Sequence, residues 1–315
     1  MFYCLKQFET FLWNIRSHHK DGMIKASSLI PRRFFDQLDE VLYELAPSNW
    51  VHTIKNQTSD GQLDGYFENQ QLAASSIKFI SEFSSDGIPF NFLISEIKQE
   101  DWQNSYKKHF QTWEFKGIYI IPVWQKGIHH IDYEERALYL DPSMAFGTGN
   151  HETTKMCVES LITLKQSYKE KINSLLDVGC GSGILTLLGD LLSININYGI
   201  DSDSNSIKVA NDNLLLNKLN FSPKFRVKGI EDLELTRLYD VVIANIQADI
   251  LCANATKLIS CMAENGHMIL SGILSTEVDE VQKEFADHTE RLGCKMRFRK
   301  KHLNEWSTIH ISKES

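Results

Sequence analysis

The 315-residue sequence has no C-x-x-C pair, no apolar run near the roughly 18 residues of a membrane span, and no excess of basic charge. The six cysteines (Cys4, Cys157, Cys180, Cys252, Cys261 and Cys294) are scattered, which excludes a disulfide framework or cysteine zinc site and suits free thiols in a reducing cytosol. The opening MFYCLKQFETFLWNIRSHHK lacks a basic n-region, a continuous apolar core and a small-residue cleavage site. A cytoplasmic protein that does not engage membranes is therefore expected. With 41 acidic against 33 basic residues the net charge is -8, which argues against direct nucleic-acid binding, a local basic patch apart, and suits a basic protein partner. No internal repeat or low-complexity segment is present.

What is present is globular: 42% hydrophobic and 10% aromatic residues are ample for packed cores, and the length favours two domains. Residues 1–97 read as a small α/β unit of order βαββαβ: strand FETFLWNIRS, helix RRFFDQLDEVLYEL (Arg32 to Leu45), strand WVHTIKN, a weakly written strand near LDGYFEN, helix QQLAASSIKFISEF and strand NFLISEIKQ. Residues 98–116 read as a connecting segment with a helix from about Glu100 to Phe110. Its Trp102, Tyr106, Phe110 and Trp113 form a stripe suited to docking on one domain rather than to stacking a ligand. Residues 117–315 read as strands alternating with helices, beginning with GIYIIPVW and RALYLDPS, in a parallel sheet covered on both faces. Only LNE joins the last two strands, CKMRFRKKH and WSTIHIS, too short for a crossover, so the last strand runs antiparallel.

Three glycines at alternate positions, Gly179, Gly181 and Gly183, follow the strand SLLDV and precede the helix GILTLLGDLLS. A strand feeding such a turn and a helix N-terminus makes a ligand crevice. The spacing is G-x-G-x-G, and Ile184 stands where a dinucleotide fingerprint wants glycine. Asp201 ends the next strand, 22 residues after Gly179, where a carboxylate can accept both hydroxyls of a ribose. It can alternatively cap the following helix, although Ser202, Asp203 and Ser204 can do that instead.

DVGCGSG (Asp177 to Gly183) followed by GID (Gly199 to Asp201) resembles the first two motifs of class I S-adenosylmethionine-dependent methyltransferases, whose fold also has an antiparallel last strand. LDPSMAFGTGNHETT (Leu140 to Thr154), VVIANI (Val241 to Ile246) and the linker EDWQNSYKKHFQTWEFKGIYIIPVW are similar to stretches of the PrmA family, bacterial methyltransferases of a large-subunit ribosomal protein. The resemblance runs from about Glu100 to the C-terminus; the N-terminal unit matches in element order more than in sequence. It implies a Rossmann-like seven-stranded sheet preceded by a small ferredoxin-like domain that recognises the protein substrate, S-adenosylmethionine as cofactor, and a ribosomal protein as partner. It also implies that Thr154, Gly179, Gly181, Asp201 and Asn245 contact the cofactor, with Asn245 at the reacting centre and no metal. Gln247 stands where the family usually has leucine, and Ser143 where it usually has glycine.

Other residues keep two readings. Thr153 caps a helix or touches ligand; Phe146 and Thr148 cover the cofactor or belong to a surface loop; Glu231 and Asp232 meet an adenine amine or cap a helix. His151 is read as a packed or capping histidine rather than a base, Cys180 as a small packed residue, and His18, His19, His129 and His130 as surface residues. Positioning two reactants can supply roughly 7–11 kcal/mol, so methyl transfer from an activated sulfonium needs no strong base. The acceptor amine must be neutral, which at pH 7.4 costs about 4 kcal/mol for lysine and under about 1 for an α-amine. The rival readings are a cofactor-binding module without turnover, an NAD(P)-linked oxidoreductase and an RNA methyltransferase.

Overall fold

A computed structural model of the chain describes residues 23–35, 38, 50–54, 60–67, 69–83, 88, 90–97, 111–128, 136–141, 151–168, 171–234 and 237–314. The chain divides into two compact units, Met1–His109 and Phe110–Ser315.

In the first unit, β1 (Met23–Ile30), β2 (Trp50–Ile54), β3 (Gly61–Phe67) and β4 (Leu93–Ile97) form a sheet of order β2-β3-β1-β4, every neighbour antiparallel. This is the ferredoxin-like arrangement. Helix α1 (Gln70–Phe83) packs Ala73 and Ile80 into a core with Ala26, Leu63 and Phe67. β3 is weakly written because Asp64 and Gly65 interrupt it. Asp64 is nonetheless held, accepting from Ser27 Oγ at 2.6 Å and pairing with Lys25 Nζ at 2.9 Å across the sheet. The first strand of the sheet is MIKASSLI, whereas the segment expected to supply it, FETFLWNIRS, lies outside the described residues. Burial alternates along β1, but an inward Ser28 and an outward Leu29, 69% exposed, break the polarity pattern that would have announced it. Of the helix expected over Arg32 to Leu45, the described part is a 3-10 turn, Arg32–Phe34, followed by helical Phe35 and Leu38.

In the second unit, β5 (Trp113–Phe115), β6 (Ile118–Pro122) and β7 (Ala137–Leu140) form a separate three-stranded sheet. Two expectations change here. GIYIIPVW and RALYLDPS do not join the main sheet, and residues 113–115 of the expected linker are a strand paired antiparallel with β6. The helix expected from about Glu100 to Phe110 lies outside the described residues.

The main sheet comprises β8 (Ser174–Val178), β9 (Ile196–Asp201), β10 (Lys224–Val227), β11 (Tyr239–Asn245), β12 (Met262–Leu274), β13 (Lys295–Leu303) and β14 (Trp306–Glu314). Its order is β10-β9-β8-β11-β12-β14-β13, and β14 alone runs against its neighbours, β12 and β13. Helices α2 (Glu152–Ser167), α3 (Ile184–Leu191) and α4 (Ser204–Leu216) lie on one face; α5 (Ala248–Ala253), α6 (Ala255–Ser260) and α7 (Val278–Arg291) lie on the other. Alternation along the buried strands assigns each side chain a face: Leu175, Val241 and Ile243 pack with Leu161 and Leu187, while Leu176, Val178, Val242 and Ala244 pack with Leu258 and Phe285. Burying each such side chain stabilises the fold by roughly 1.5–3 kcal/mol. The single helix expected over ILCANATKLISCMA is two short ones, divided at Asn254, whose amide turns back to bond Ile250 O at 2.9 Å. No helix among the described residues is long and apolar enough to cross a membrane.

Candidate active site

Strand order reverses between β8 and β11, the neighbours at the centre of the sheet, where Val178 pairs with Ala244. Chains leave these two strands in opposite directions across the sheet, which opens a crevice beyond their carboxyl ends. The glycine turn leaves β8 there, and Asn245 ends β11 beside it.

The turn is built by left-handed glycines. Gly179 has φ +71°, and a Cβ on it would sit 2.4 Å from Ile246 Cγ2; Gly183, at φ +81°, would meet the Phe225 ring at 2.8 Å and Ala210 Cβ at 2.9 Å. Glycine is therefore required by the protein's own packing as well as by backbone conformation. The N–H groups of the turn are engaged internally: Gly179 and Cys180 both donate to Ile200 O at 2.9 Å, Gly183 donates to Cys180 O at 2.8 Å, and Gly181 donates to Asp201 Oδ2 at 2.9 Å. With these four donors engaged, the glycines themselves offer no N–H to a phosphate.

Asp201 does not cap α4. Asp203 does, accepting from Asn205 N at 2.9 Å and Ser206 N at 3.3 Å. The Asp201 carboxylate takes one backbone N–H on each oxygen, Gly181 on Oδ2 and Asp203 on Oδ1, and each oxygen retains capacity for one more donor. Two adjacent acceptors fixed in one plane suit a vicinal diol.

On the other side of the crevice, α2 is capped by His151, whose Nδ1 accepts from Thr153 N at 3.3 Å and bonds Thr153 Oγ1 at 2.8 Å. Burial lowers the His151 pKa, opposed by Glu152 and Glu305. Thr153 thus completes the cap. Thr154 turns inward, fully buried, and its Oγ1 accepts from Asn245 Nδ2 at 3.4 Å. Asn245 is 6% exposed, and its Oδ1 has no hydrogen-bond partner among the described residues. A buried amide oxygen left open beside the crevice is costly unless a bound group donates to it. That acceptor, the Asp201 acceptor pair and the glycine turn together fit a ligand carrying an amine and a ribose.

The structure thus brings Gly179, Gly181 and Asp201 to one wall and Thr154 and Asn245 to the other. Glu231 and Asp232 are exposed on a turn after β10, with no helix following among the described residues to be capped. Cys180 is packed, 5% exposed, and burial raises its thiol pKa well above the ordinary value. Phe146, Thr148, Ser143, His18, His19, His129 and His130 lie outside the described residues.

Residues 37–314 match the family described as Ribosomal protein L11 methyltransferase (PrmA). The chain belongs to that family. A relative of the same name from Agathobacter rectalis is 34% identical over 303 residues, covering 92% of this chain and 90% of its own length. Another, from Caldicellulosiruptor saccharolyticus, is 30% identical over 299 residues, covering 87% and 94%. Among solved structures, ribosomal protein L11 methylase from Lactobacillus delbrueckii subsp. bulgaricus aligns over 66% of this chain and all of its own with TM-score 0.54 at 22% identity, a likeness of fold.

A PrmA-family member is a protein methyltransferase, and the seven-stranded unit is its class I methyltransferase fold. One feature of this fold is not announced by the motifs. Asp177, fully buried one residue before the end of β8, accepts from Thr186 N at 3.1 Å and Thr186 Oγ1 at 2.7 Å, pinning the first turn of α3 under the glycine turn. A carboxylate in an otherwise apolar strand was the signal. The departure from the family at Gln247 is exposed and is the N-cap of α5, without a side-chain cap bond.

Proposed function

We propose that this protein transfers methyl groups from S-adenosylmethionine to amino groups, lysine side chains or the N-terminal α-amine, of ribosomal protein L11. The observation that carries the reading is the open, buried Oδ1 of Asn245 across the crevice floor from the Asp201 acceptor pair. Family membership supports the reaction and the protein acceptor.

When bound, S-adenosylmethionine supplies a sulfonium methyl that an amine displaces in line. Asp201 holds the ribose diol through its two oxygens. Gly179 and Gly181 let the main chain pass close beneath the ligand. Thr154 fixes the Asn245 amide, so that Oδ1 faces the crevice as an acceptor for N–H. An acceptor there orients the lone pair of a neutral amine toward the methyl, and orientation of this kind is the principal contribution such a site can make. Residues 1–97, within the first unit, recognise the protein substrate. The reaction belongs to the cytoplasm, a placement supported by five described cysteines that are all free thiols.

Calorimetry of S-adenosylmethionine binding and a labelled methyl-transfer assay on purified ribosomal protein L11 test this. Asp201→Ala should weaken cofactor binding by roughly 1.5–3 kcal/mol through loss of charge-assisted hydrogen bonds. Asn245→Ala should keep protein-substrate binding and lose rate. Wild-type cofactor affinity in a folded Asp201→Ala variant overturns the assignment.

A further inference from the structure

Two asparagines four residues apart, Asn213 on α4 and Asn217 capping its C-terminus, bind backbone outside the helix. Asn217 grips β7: its Oδ1 accepts from Tyr139 N at 2.8 Å and its Nδ2 donates to Tyr139 O at 2.8 Å. Asn213, fully buried, takes the next step along the chain, with Oδ1 accepting from Asp141 N at 2.7 Å. Its Nδ2 donates at 3.0 Å to Ser182 O and, more weakly at 3.5 Å, to Asp141 O. Asn217 therefore binds one segment and Asn213 binds two.

One of those segments is the glycine turn itself; the other is the end of β7. Ser182 lies between Gly181, whose N–H fixes Asp201, and Gly183, the left-handed N-cap of α3. Asp141 leads from β7 toward α2, which carries Thr154 and through it Asn245. Burying an amide costs free energy unless its hydrogen bonds are made, so an asparagine at this position is kept for those bonds and not for apolar packing. The distinctive result of the amide is a fixed register between the two backbones.

We propose that Asn213 is a positioning residue for methyl transfer: it ties the glycine turn to the chain leaving β7 and so holds the turn in the conformation that cofactor binding requires. This rests on the reading of the turn as the S-adenosylmethionine site. The amide acts through backbone and touches neither reactant.

Asn213→Asp keeps an acceptor for Asp141 N and replaces the donor to Ser182 O with an oxygen. Asn217→Asp makes the same change at a residue that reaches only β7 and its own helix. Hydrogen exchange of the full chain without cofactor should show faster exchange of residues 179–186 in Asn213→Asp and no change there in Asn217→Asp. S-adenosylmethionine should then bind at least tenfold more weakly to Asn213→Asp and within twofold of wild type to Asn217→Asp, with KM for ribosomal protein L11 unchanged in both. Should Asn213→Asp not fold, Asn213→Ser removes both bonds without a buried charge and takes the same measurements. Equal effects of the two substitutions on exchange and affinity, or wild-type exchange in the turn of the Asn213 variant, overturn the proposal. A wild-type chain that binds no S-adenosylmethionine overturns the site reading instead, and the exchange data still report whether Asn213 couples the two segments.

Discussion

Asp177 shows how one buried group ties stability to pH. Burial pushes its carboxyl up to about 7 from an ordinary 3.8; the Thr186 hydrogen bonds pull it down, and the charge of Asp201 adds to the rise. Because the folded value lies above the unfolded one, the stability it contributes is complete below about pH 4 and is lost as pH rises through 7. Asn at this position carries no such charge. The stability difference between Asp177→Asn and wild type should therefore shift in favour of the variant by up to about 4 kcal/mol from pH 4 to pH 8, read as urea midpoints across that range. A difference that stays flat with pH would show that Asp177 remains ionised throughout.

At the scale of elements, β12 carries the tightest constraint on the site. Gly272 has φ +81°, and a Cβ there would lie 2.4 Å from Ile246 O and 2.9 Å from Ile246 C, backbone atoms that cannot rotate aside. Gly293, after α7, has φ +67° with nothing within 4 Å. Gly293→Ala should thus lose only the roughly 1–2 kcal/mol of a left-handed alanine. Gly272→Ala should lose at least about 2 kcal/mol more, together with methyl-transfer rate, since Ile246 follows Asn245. Denaturation of the two variants side by side checks this; equal losses would mean that Ile246 yields freely. The apolar stretch MILSGI revealed the core of this element, as VVIAN did for β11, because parallel strands buried on both faces are rich in aliphatic residues; Met262 and Ala263, expected in the preceding helix, open the strand instead. The sequence concealed Gly272, since a glycine in a strand carries no sign of which backbone crosses it. β1 stayed hidden for a different reason: small residues such as Ala26 and Ser28 face inward under α1, where close packing matters more than polarity. At the candidate site, the sequence put Asp201 and Asn245 at strand ends, where the structure also has them, whereas Asn213 is indistinguishable in the sequence from any other polar helix residue, since its tie to the end of β7 is made across the fold.

For the whole molecule, the proposed division of labour gives a test of its own. A shortened chain starting at Phe110, where the second unit begins, should keep S-adenosylmethionine affinity close to that of the full chain. It should lose most transfer to ribosomal protein L11, because binding energy from remote parts of a substrate positions the reacting group. Undiminished transfer by the shortened chain would assign the first unit another role. The main sheet carries one more property of the whole. Its order leaves β10 and β13 as the two outer strands. β10 has four residues, while β13 has nine, KMRFRKKHL, with Lys295, Arg297, Arg299 and Lys301 exposed at alternate positions. A vacant strand edge is a template on which a second molecule can add its own strand, and the usual protections are brevity or cationic side chains. Among the described residues the sheet has one at each end: a stub too short to extend, and a strand carrying cations at alternate positions, of which Lys301 also pairs with Glu159. In a crowded solution, growth of the sheet from molecule to molecule is therefore opposed at both margins.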